Sequence, residues 1–504
     1  MIPAPPDRGA FRAAYDAGRP QLLWTTTVSD LETPVSAFLK LASGRPNAVL
    51  LESVEGGATR GRYSIIMLDP DVLWRVQGER AEVNPFALTD PEGWRTEEVG
   101  ALASLRRLIA DSAVPVPPGL PPMSAALVGY LGYDVVRLIE RIPETNPDPL
   151  GLPDGMLMRP TVVAVFDTVL DTLTFATPVR PAPGVTADQA REAADARLAA
   201  SVAALARPLP PPPAARPATP DLGKVASNMT REQFISAVER AKQYIRAGDA
   251  FQIVLSQRFA VPFALPPFAL YRSLRRLNPS PFLFFLDLGG FAVIGSSPEI
   301  MVRLRDGTIT IRPLAGTRPR GKTHEEDQRL ERDLLADPKE RAEHLMLLDL
   351  GRNDVGRVAE VGSVVVKEQF VVERYSHVMH ISSHVEGRLR AGCDSVDALM
   401  AGFPAGTLSG APKVRAMEII EELEPERRGL YAGCVGYFAA TGEMDTAIAL
   451  RTAVVKDQVM YVQAGAGVVA DSDPEAEYSE TVAKARALIR AAEEAVRFAA
   501  GVGR

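Results

Sequence analysis

The proline-dense run RPLPPPPAARPATPDLG, Arg207 to Gly223, can form neither a helix interior nor a central strand, because proline lacks the backbone N–H that both need. It also has no apolar periodicity, so it reads as a surface connection between two blocks. The expected organisation is an N-terminal α+β domain over 1–206, a linker over 207–223 and a second domain over 224–504. A chain of 504 residues has ample material for buried core.

Both blocks are rich in short β-prone runs. The first carries AVLLES, RYSII, DVLWRV, AALVGYLGY and TVVAVFDTVLDTLTFA, with helical patterns at Pro34 to Ala42 and Thr186 to Ala206. The second opens with a helix to Ala247 that Thr230 and Gln233 can cap reciprocally. It continues through AFQIVLSQRFAV, PFLFFLDLG, GFAVIGSS, MVRLRD and TITIRPLAG to a long acidic helical region, Glu325 to Leu350. Strands GSVVVKEQFVVERY and VMHISSHVEGRL follow, then the hairpin-like pair CVGYFAAT and TAIALRTAVVKD, then MYVQAGAGVV. Antiparallel strands with helices grouped in blocks predict an α+β fold.

A net charge of −7 argues against nucleic acid or an anionic membrane as the main partner. Two cysteines, Cys393 and Cys434, imply no disulfide framework. The longest uncharged run, Ala113 to Tyr133, has five prolines in its first ten residues and cannot span a membrane. The start, MIPAPPDRGAFR, lacks the apolar region of a signal peptide, so a cytoplasmic location is expected.

The chemistry concentrates in DPKERAEHLMLLDLGRND, Asp337 to Asp354. As a helix it puts Glu340, Glu343 and His344 at i, i+3 and i+4, on one face. Asp473 can cap a later helix with Pro474 in its first turn, and Glu477 and Glu480 repeat the spacing. An isolated Glu-x-x-Glu is usually a solvated acidic face. Two such pairs suggest helices converging on one Mg2+. All five histidines (324, 344, 377, 380 and 384) lie in one region with no nearby cysteine pattern, so a single acid or base is expected from them, not a zinc set.

Gly465-Ala466-Gly467 begins a G-x-G-x-x-A run, but no strand follows to complete a dinucleotide-binding unit; its N–H groups can instead cradle a carboxylate. FPAGTLSGAPK, Phe403 to Lys413, is not a phosphate-binding P-loop and reads as a loop able to close on an anion or as a plain turn. Cys434 in GCVG reads as a packed thiol, so the chain is expected to lack a glutaminase of its own.

Taken together, AGDAFQIVLSQRF, NPSPFLFFLDL, GSSPE, RPLAGTRPRG, AEHLMLLDLGRND, VMHISSHVEG, FPAGTLSGAPKVRAMEII, MDTAIALRT and VQAGAGVVADSDPEAEYSET resemble the chorismate-utilising enzymes. Among these they are most similar to the anthranilate synthase component I subfamily. The resemblance covers Asp221 to Ala491 and, more weakly, Leu50 to Ile66. It implies a layered α/β/β/α sandwich of two orthogonally packed, largely antiparallel sheets. It also implies a lyase that converts chorismate and ammonia to anthranilate and pyruvate, the first committed step of tryptophan biosynthesis.

By the same resemblance, Glu343 and Glu480 ligate Mg2+, and Glu340 and Glu477 support them through water. Arg451 binds the enolpyruvyl carboxylate, and Tyr431, Gly316, Thr317 and Gly465-Ala466-Gly467 complete the substrate cradle. Glu299 is the acid for the leaving C4 hydroxyl, His380 serves the elimination, and Thr407 touches substrate. Ala315 stands where aminodeoxychorismate-forming relatives carry a lysine nucleophile. Gln252 stands where isochorismate and salicylate synthases carry a water-activating lysine. Ammonia is therefore the implied nucleophile, fed by a glutamine amidotransferase subunit (component II) in a hetero-oligomer. Aminodeoxychorismate synthase component I is the alternative within the family. An inactive binding relative is another, opposed by the intact Glu299, Glu343, Glu480 and His380. Ser53 and Pro281-Phe282-Leu283 match the positions that bind L-tryptophan as feedback inhibitor, with departures at Phe282, usually tyrosine, and Met67, usually glycine.

Overall fold

The computed structural model describes residues 4–55, 59–210, 222–375 and 378–500. Most of the proline-dense connection, and His377, lie outside the described residues. Every ladder among the described strands is antiparallel.

The architecture turns on one long strand pair. Thr59–Gln77 runs beside Gly155–Asp167 from Tyr63 opposite Asp167 to Val76 opposite Gly155, with the register shifted between Pro70 and Val72. Pro70 has no N–H to give to the ladder, and a bulge there lets both strands bend. One half of the pair joins a sheet through Val49–Glu55, Phe282–Asp287, Ala292–Ser297, Thr452–Lys456, Val459–Val468 and Gln252–Pro262. The other half joins a second sheet through Ala126–Leu131, Cys434–Ala439, Met444–Ile448, Ile300–Arg305, Thr308–Ile311 and Val378–Arg388.

Period-2 alternation sorts the apolar side chains into layers. Phe284 and Leu286 enter a core with Val435 and Tyr437 of the second sheet, whereas Leu283 and Phe285 face outward to a different core. Ile65 and Met67 likewise go inward and Ile66 and Leu68 outward. The outward core of the first sheet is closed by Phe38, Leu198, Leu274 and Leu488 from four helices. That of the second sheet is closed by Leu105, Leu348, Leu399 and Met417 from four more. The result is the expected α/β/β/α layering.

The helix starts fall where their caps predict. Thr230 with Gln233, and Thr186 with Gln189, form reciprocal capping boxes. The acidic region is two helices, His324–Ala336 and Pro338–Gly356, because Pro338 cannot continue the first and Asp337 caps the second. Segments from either side of the proline-dense run share both sheets: Ser53 lies opposite Phe282, and Leu131 opposite Cys434. Among the described residues no helix is long and apolar enough to cross a membrane.

Candidate active site

The two acidic helices bring their carboxylates into one neighbourhood. Asp337 accepts from the N–H of Lys339 and Glu340 and so starts Pro338–Gly356; Asp473 accepts from the N–H of Glu475 and starts Pro474–Ala499. Glu343 Oε1 accepts from Gln252 Nε2 at 3.2 Å, and Gln252 is buried. Burial raises the Glu343 pKa, and the carboxylates of Glu340 and Glu480 raise it further, against the Gln252 hydrogen bond and Lys339. Glu477 is raised by burial and by Glu480, against a hydrogen bond from Ser472. Glu340 is held at 3.0 Å by Arg318, which also reaches Asp333 and Asp337. Glu480 pairs with Lys484 at 2.7 Å, and the same ammonium donates to the Gly465 carbonyl at 2.8 Å.

His344 does not join these carboxylates. Successive residues on a helix point about 100° apart, and His344 is turned from Glu343 into the core, with Nε2 2.6 Å from Ser383 Oγ and its ring edge-on to Phe370. Lys413 of that loop is engaged within the protein: its ammonium pairs with the Asp354 carboxylate at 2.8 Å.

A second group lies around Glu299, which directly follows the Ala292–Ser297 strand and Pro298. Its carboxyl is buried and receives the Leu314 N–H at 3.3 Å and the Thr407 hydroxyl at 3.2 and 3.3 Å. Burial pushes its pKa up to about 8, against those donors and the positive charge of Arg451. Thr407 sits in the short Gly406–Ser409 helix of the FPAGTLSGAPK loop. Arg451 adopts a left-handed φ of 49°, and its half-buried guanidinium makes no ion pair or hydrogen bond among the described residues. Tyr375 and Glu299 are the groups that favour its charge. Withdrawing an unpaired guanidinium from water even in part is costly, and such backbone strain clusters at binding sites.

His380 stands opposite Thr317, with the ladder shifted between Ala315 and Thr317 around Gly316 at φ 72°. Its Nδ1 is 3.0 Å from the Gly316 carbonyl and 3.1 Å from Thr317 Oγ1. Burial, with Arg451, lowers its pKa to about 4. A β-carbon on Gly316 would meet Glu340 Oε2 at 3.0 Å, so the bulge touches the carboxylate group as well. One on Gly465 would stand 2.7 Å from the Tyr431 hydroxyl, and one on Gly467 2.4 Å from Gln252 Nε2. The Gly465-Ala466-Gly467 backbone thus passes directly between Tyr431 and Gln252, with Ala466 wholly buried. Ser53, Phe282 and Leu283 lie on the Val49–Glu55 and Phe282–Asp287 ladder, with Pro281 immediately before it. There the neighbouring Glu52 is clamped by Arg275 and Tyr271.

Three neighbours of the site are not evident from local sequence alone. Lys484 is four residues from Glu480, a spacing that could have revealed it. Arg318 and Tyr375 carry no local signal; Tyr375 is edge-on to His380 at 5.6 Å and donates to Glu373. Behind Tyr431, the fully buried Arg428–Glu424 pair supports the ring.

Half-buried and exposed carboxylates in two helix-borne pairs, the buried carboxyl of Glu299, a neutral histidine and a guanidinium without an ion pair define a site for an anionic substrate. The profile of the chorismate binding enzyme family matches residues 60–490. The chain is 56% identical over 500 residues to anthranilate synthase component 1 of Cereibacter sphaeroides, covering 98% of this chain and 99% of the relative. It is 48% identical over 485 residues to that of Aquifex aeolicus, covering 94% of each. The crystal structure of anthranilate synthase component I from Streptococcus pneumoniae superposes with a TM-score of 0.73 at 37% identity, over 92% of this chain and 98% of that one. The chain belongs to the chorismate binding enzyme family, and within it to the anthranilate synthase component 1 group.

Proposed function

We propose that the chain converts chorismate and ammonia to anthranilate and pyruvate with Mg2+. The observation that carries this reading is Glu299, a carboxyl held largely protonated at neutral pH beside a loop hydroxyl and an unpaired arginine. Hydroxide is a poor leaving group, and such an acid can protonate the C4 hydroxyl as ammonia adds at C2. Arg451 binds the enolpyruvyl carboxylate as a fork donor, and the Gly465-Ala466-Gly467 backbone and Tyr431 bound the ring. His380, neutral and donating from Nδ1 to Gly316, offers Nε2 to the elimination of pyruvate. Ala315 and Gln252 leave no lysine to replace ammonia as nucleophile.

The donor set suits a hard divalent cation. Burial first, and neighbouring carboxylates after it, raise the pKa values of Glu343 and Glu477, and a cation among these carboxylates would relieve their repulsion. Among the described residues no three His, Cys, Asp or Glu side chains converge closely enough to hold a metal unaided. By the family resemblance, Mg2+ would take two protein ligands, Glu343 and Glu480, with Glu340 and Glu477 acting through water. When bound, the ion would neutralise these carboxylates and polarise the ring carboxylate of the substrate.

Ammonia comes from a glutamine amidotransferase partner. Cys434 supports this: it is buried, its thiol is pushed up to about 12, and it cannot act as a glutaminase nucleophile. The reading also includes tryptophan inhibition at Ser53 and Pro281-Phe282-Leu283, and a cytoplasmic location. The deciding experiment supplies chorismate, ammonium and Mg2+ to the purified chain and follows anthranilate fluorescence. Chorismate left unconsumed, or consumed without anthranilate, sinks the proposal.

A further inference from the structure

Glu299 gives up one proton in each amination: the C4–O bond breaks, the carboxyl proton joins the departing oxygen, and water leaves. The proton shed by ammonia is lost at C2, not at C4. Glu299 remains as a buried carboxylate whose protein partners are the Leu314 N–H and the Thr407 hydroxyl. It must be reprotonated before the next cycle.

A cavity with about 20 Å3 of room for water is lined by Glu299, Thr407 and Asp354, and otherwise mainly by aliphatic side chains such as Ile311, Leu347 and Leu350. This volume suits one water molecule, which needs polar partners to stay. Tyr431, Arg451, His380 and Gly465 do not line it, so it meets the proposed cradle only at Glu299 and Thr407. On its lining, Asp354 Oδ2 pairs with Lys413 Nζ at 2.8 Å, and that ammonium also donates to the Gly402 carbonyl at 3.3 Å. The side chains of Asp354 and Lys413 are 6% and 9% exposed, and Val414 beside Lys413 reaches solvent.

We infer that the Asp354–Lys413 pair is a proton relay: through a water in this cavity it returns to Glu299 the proton spent on the C4 hydroxyl. The proton passes from Lys413 Nζ to Asp354, from Asp354 to the water, and from the water to the Glu299 carboxylate. Lys413 recharges from solvent, so no other reactant is needed. Burial raises the Asp354 pKa against Lys413 and Arg357, and burial with Arg357 lowers that of Lys413 against Asp354; the net shifts bring the proton affinities of the pair closer together. Glu140 acts the other way on Lys413, and Arg451 is the charged group facing Glu299. The relay rests on the proposed role of Glu299.

The test is rapid-mix anthranilate formation by the full chain with ammonium and Mg2+. Asp354→Asn breaks the relay. Gly351→Ala fills the cavity without touching the pair, since the added methyl meets Ile311 at 3.5 Å and Pro313 at 4.0 Å, ordinary contacts. Glu299 starts each experiment protonated, so both variants should form the first equivalent at the wild-type rate. Later turnovers should be at least roughly tenfold slower, with a larger solvent isotope effect on that slow phase and an unchanged KM for chorismate. A merely structural role would slow the first turnover too. If Asp354→Asn does not fold, Gly351→Ala decides alone. Folded variants with wild-type kcat and no burst overturn the relay. If the unaltered chain forms no anthranilate, it is the proposed function that fails. If Glu299→Gln is inactive while both relay variants turn over normally, only the relay fails.

Discussion

His380 Nδ1 lies 3.0 Å from the carbonyl oxygen of Gly316, an atom that can only accept. That hydrogen bond assigns the ring proton to Nδ1 and leaves the lone pair on Nε2. The pairing depends on the register shift between Ala315 and Thr317, which sets Gly316 in a left-handed turn beside the ring. Two adjacent departures from regular strand geometry therefore fix the tautomer of one imidazole.

From this arrangement, His380→Ala should impair pyruvate elimination more than ammonia addition. The expected loss of anthranilate formation is about 10²–10⁴-fold, with an amino-cyclohexadiene intermediate building up on chromatography. Because burial lowers the His380 pKa to about 4, the kcat profile should show no limb near the ordinary histidine value. Equal loss of both steps would reduce His380 to a support for substrate pose.

Glu299 should set the alkaline limb. Its carboxyl is lifted from 4.5 to about 8 by burial, so kcat should fall as pH rises through about 8, and Glu299→Gln should cost roughly 10²–10⁴-fold. The same shift has a stability consequence. A raised pKa contributes stability that is full below 4.5 and is lost as pH rises through about 8. Melting temperatures measured across that window should therefore fall for the wild type relative to Glu299→Gln. Parallel curves would contradict a buried, protonated carboxyl.

Mg2+ should raise the melting temperature of the chain without any substrate present, since a ligand that binds only the folded state stabilises it. Glu343→Gln and Glu480→Gln should each abolish that shift and cost several kcal/mol of transition-state stabilisation. Turnover undiminished by EDTA would remove the metal from the reading.

Tryptophan should inhibit from a site distinct from that of chorismate. Ser53 and Phe282 are direct ladder partners, so a ligand touching both rests on a strand pair that joins distant parts of the chain. Such coupling is reciprocal, and calorimetric titration should show chorismate weakening tryptophan binding by the factor by which tryptophan weakens chorismate binding. Ser53→Phe should abolish inhibition while uninhibited turnover stays near normal. Full sensitivity in that variant would place the regulatory site elsewhere.

Local chemistry made much of this legible in advance. The caps at Thr230 and Asp473 mark helix starts because each satisfies N–H groups two or three residues ahead. The Glu340/Glu343 and Glu477/Glu480 pairs follow from helical periodicity, and the alternating strands carry their layer assignment in sequence. The tertiary structure alone decided that His344 belongs to Ser383, that Lys413 belongs to Asp354, and that Arg318 holds the carboxylate of Glu340. It also decided that Ser53 meets Phe282 and Leu131 meets Cys434, each across more than two hundred residues. Helix periodicity and capping act within a few residues, so the sequence determines them. Burial, ion-pair choice and the pKa values of Glu299 and His380 depend on atoms that remote strands deliver, and only the packed sheets fix which atoms those are.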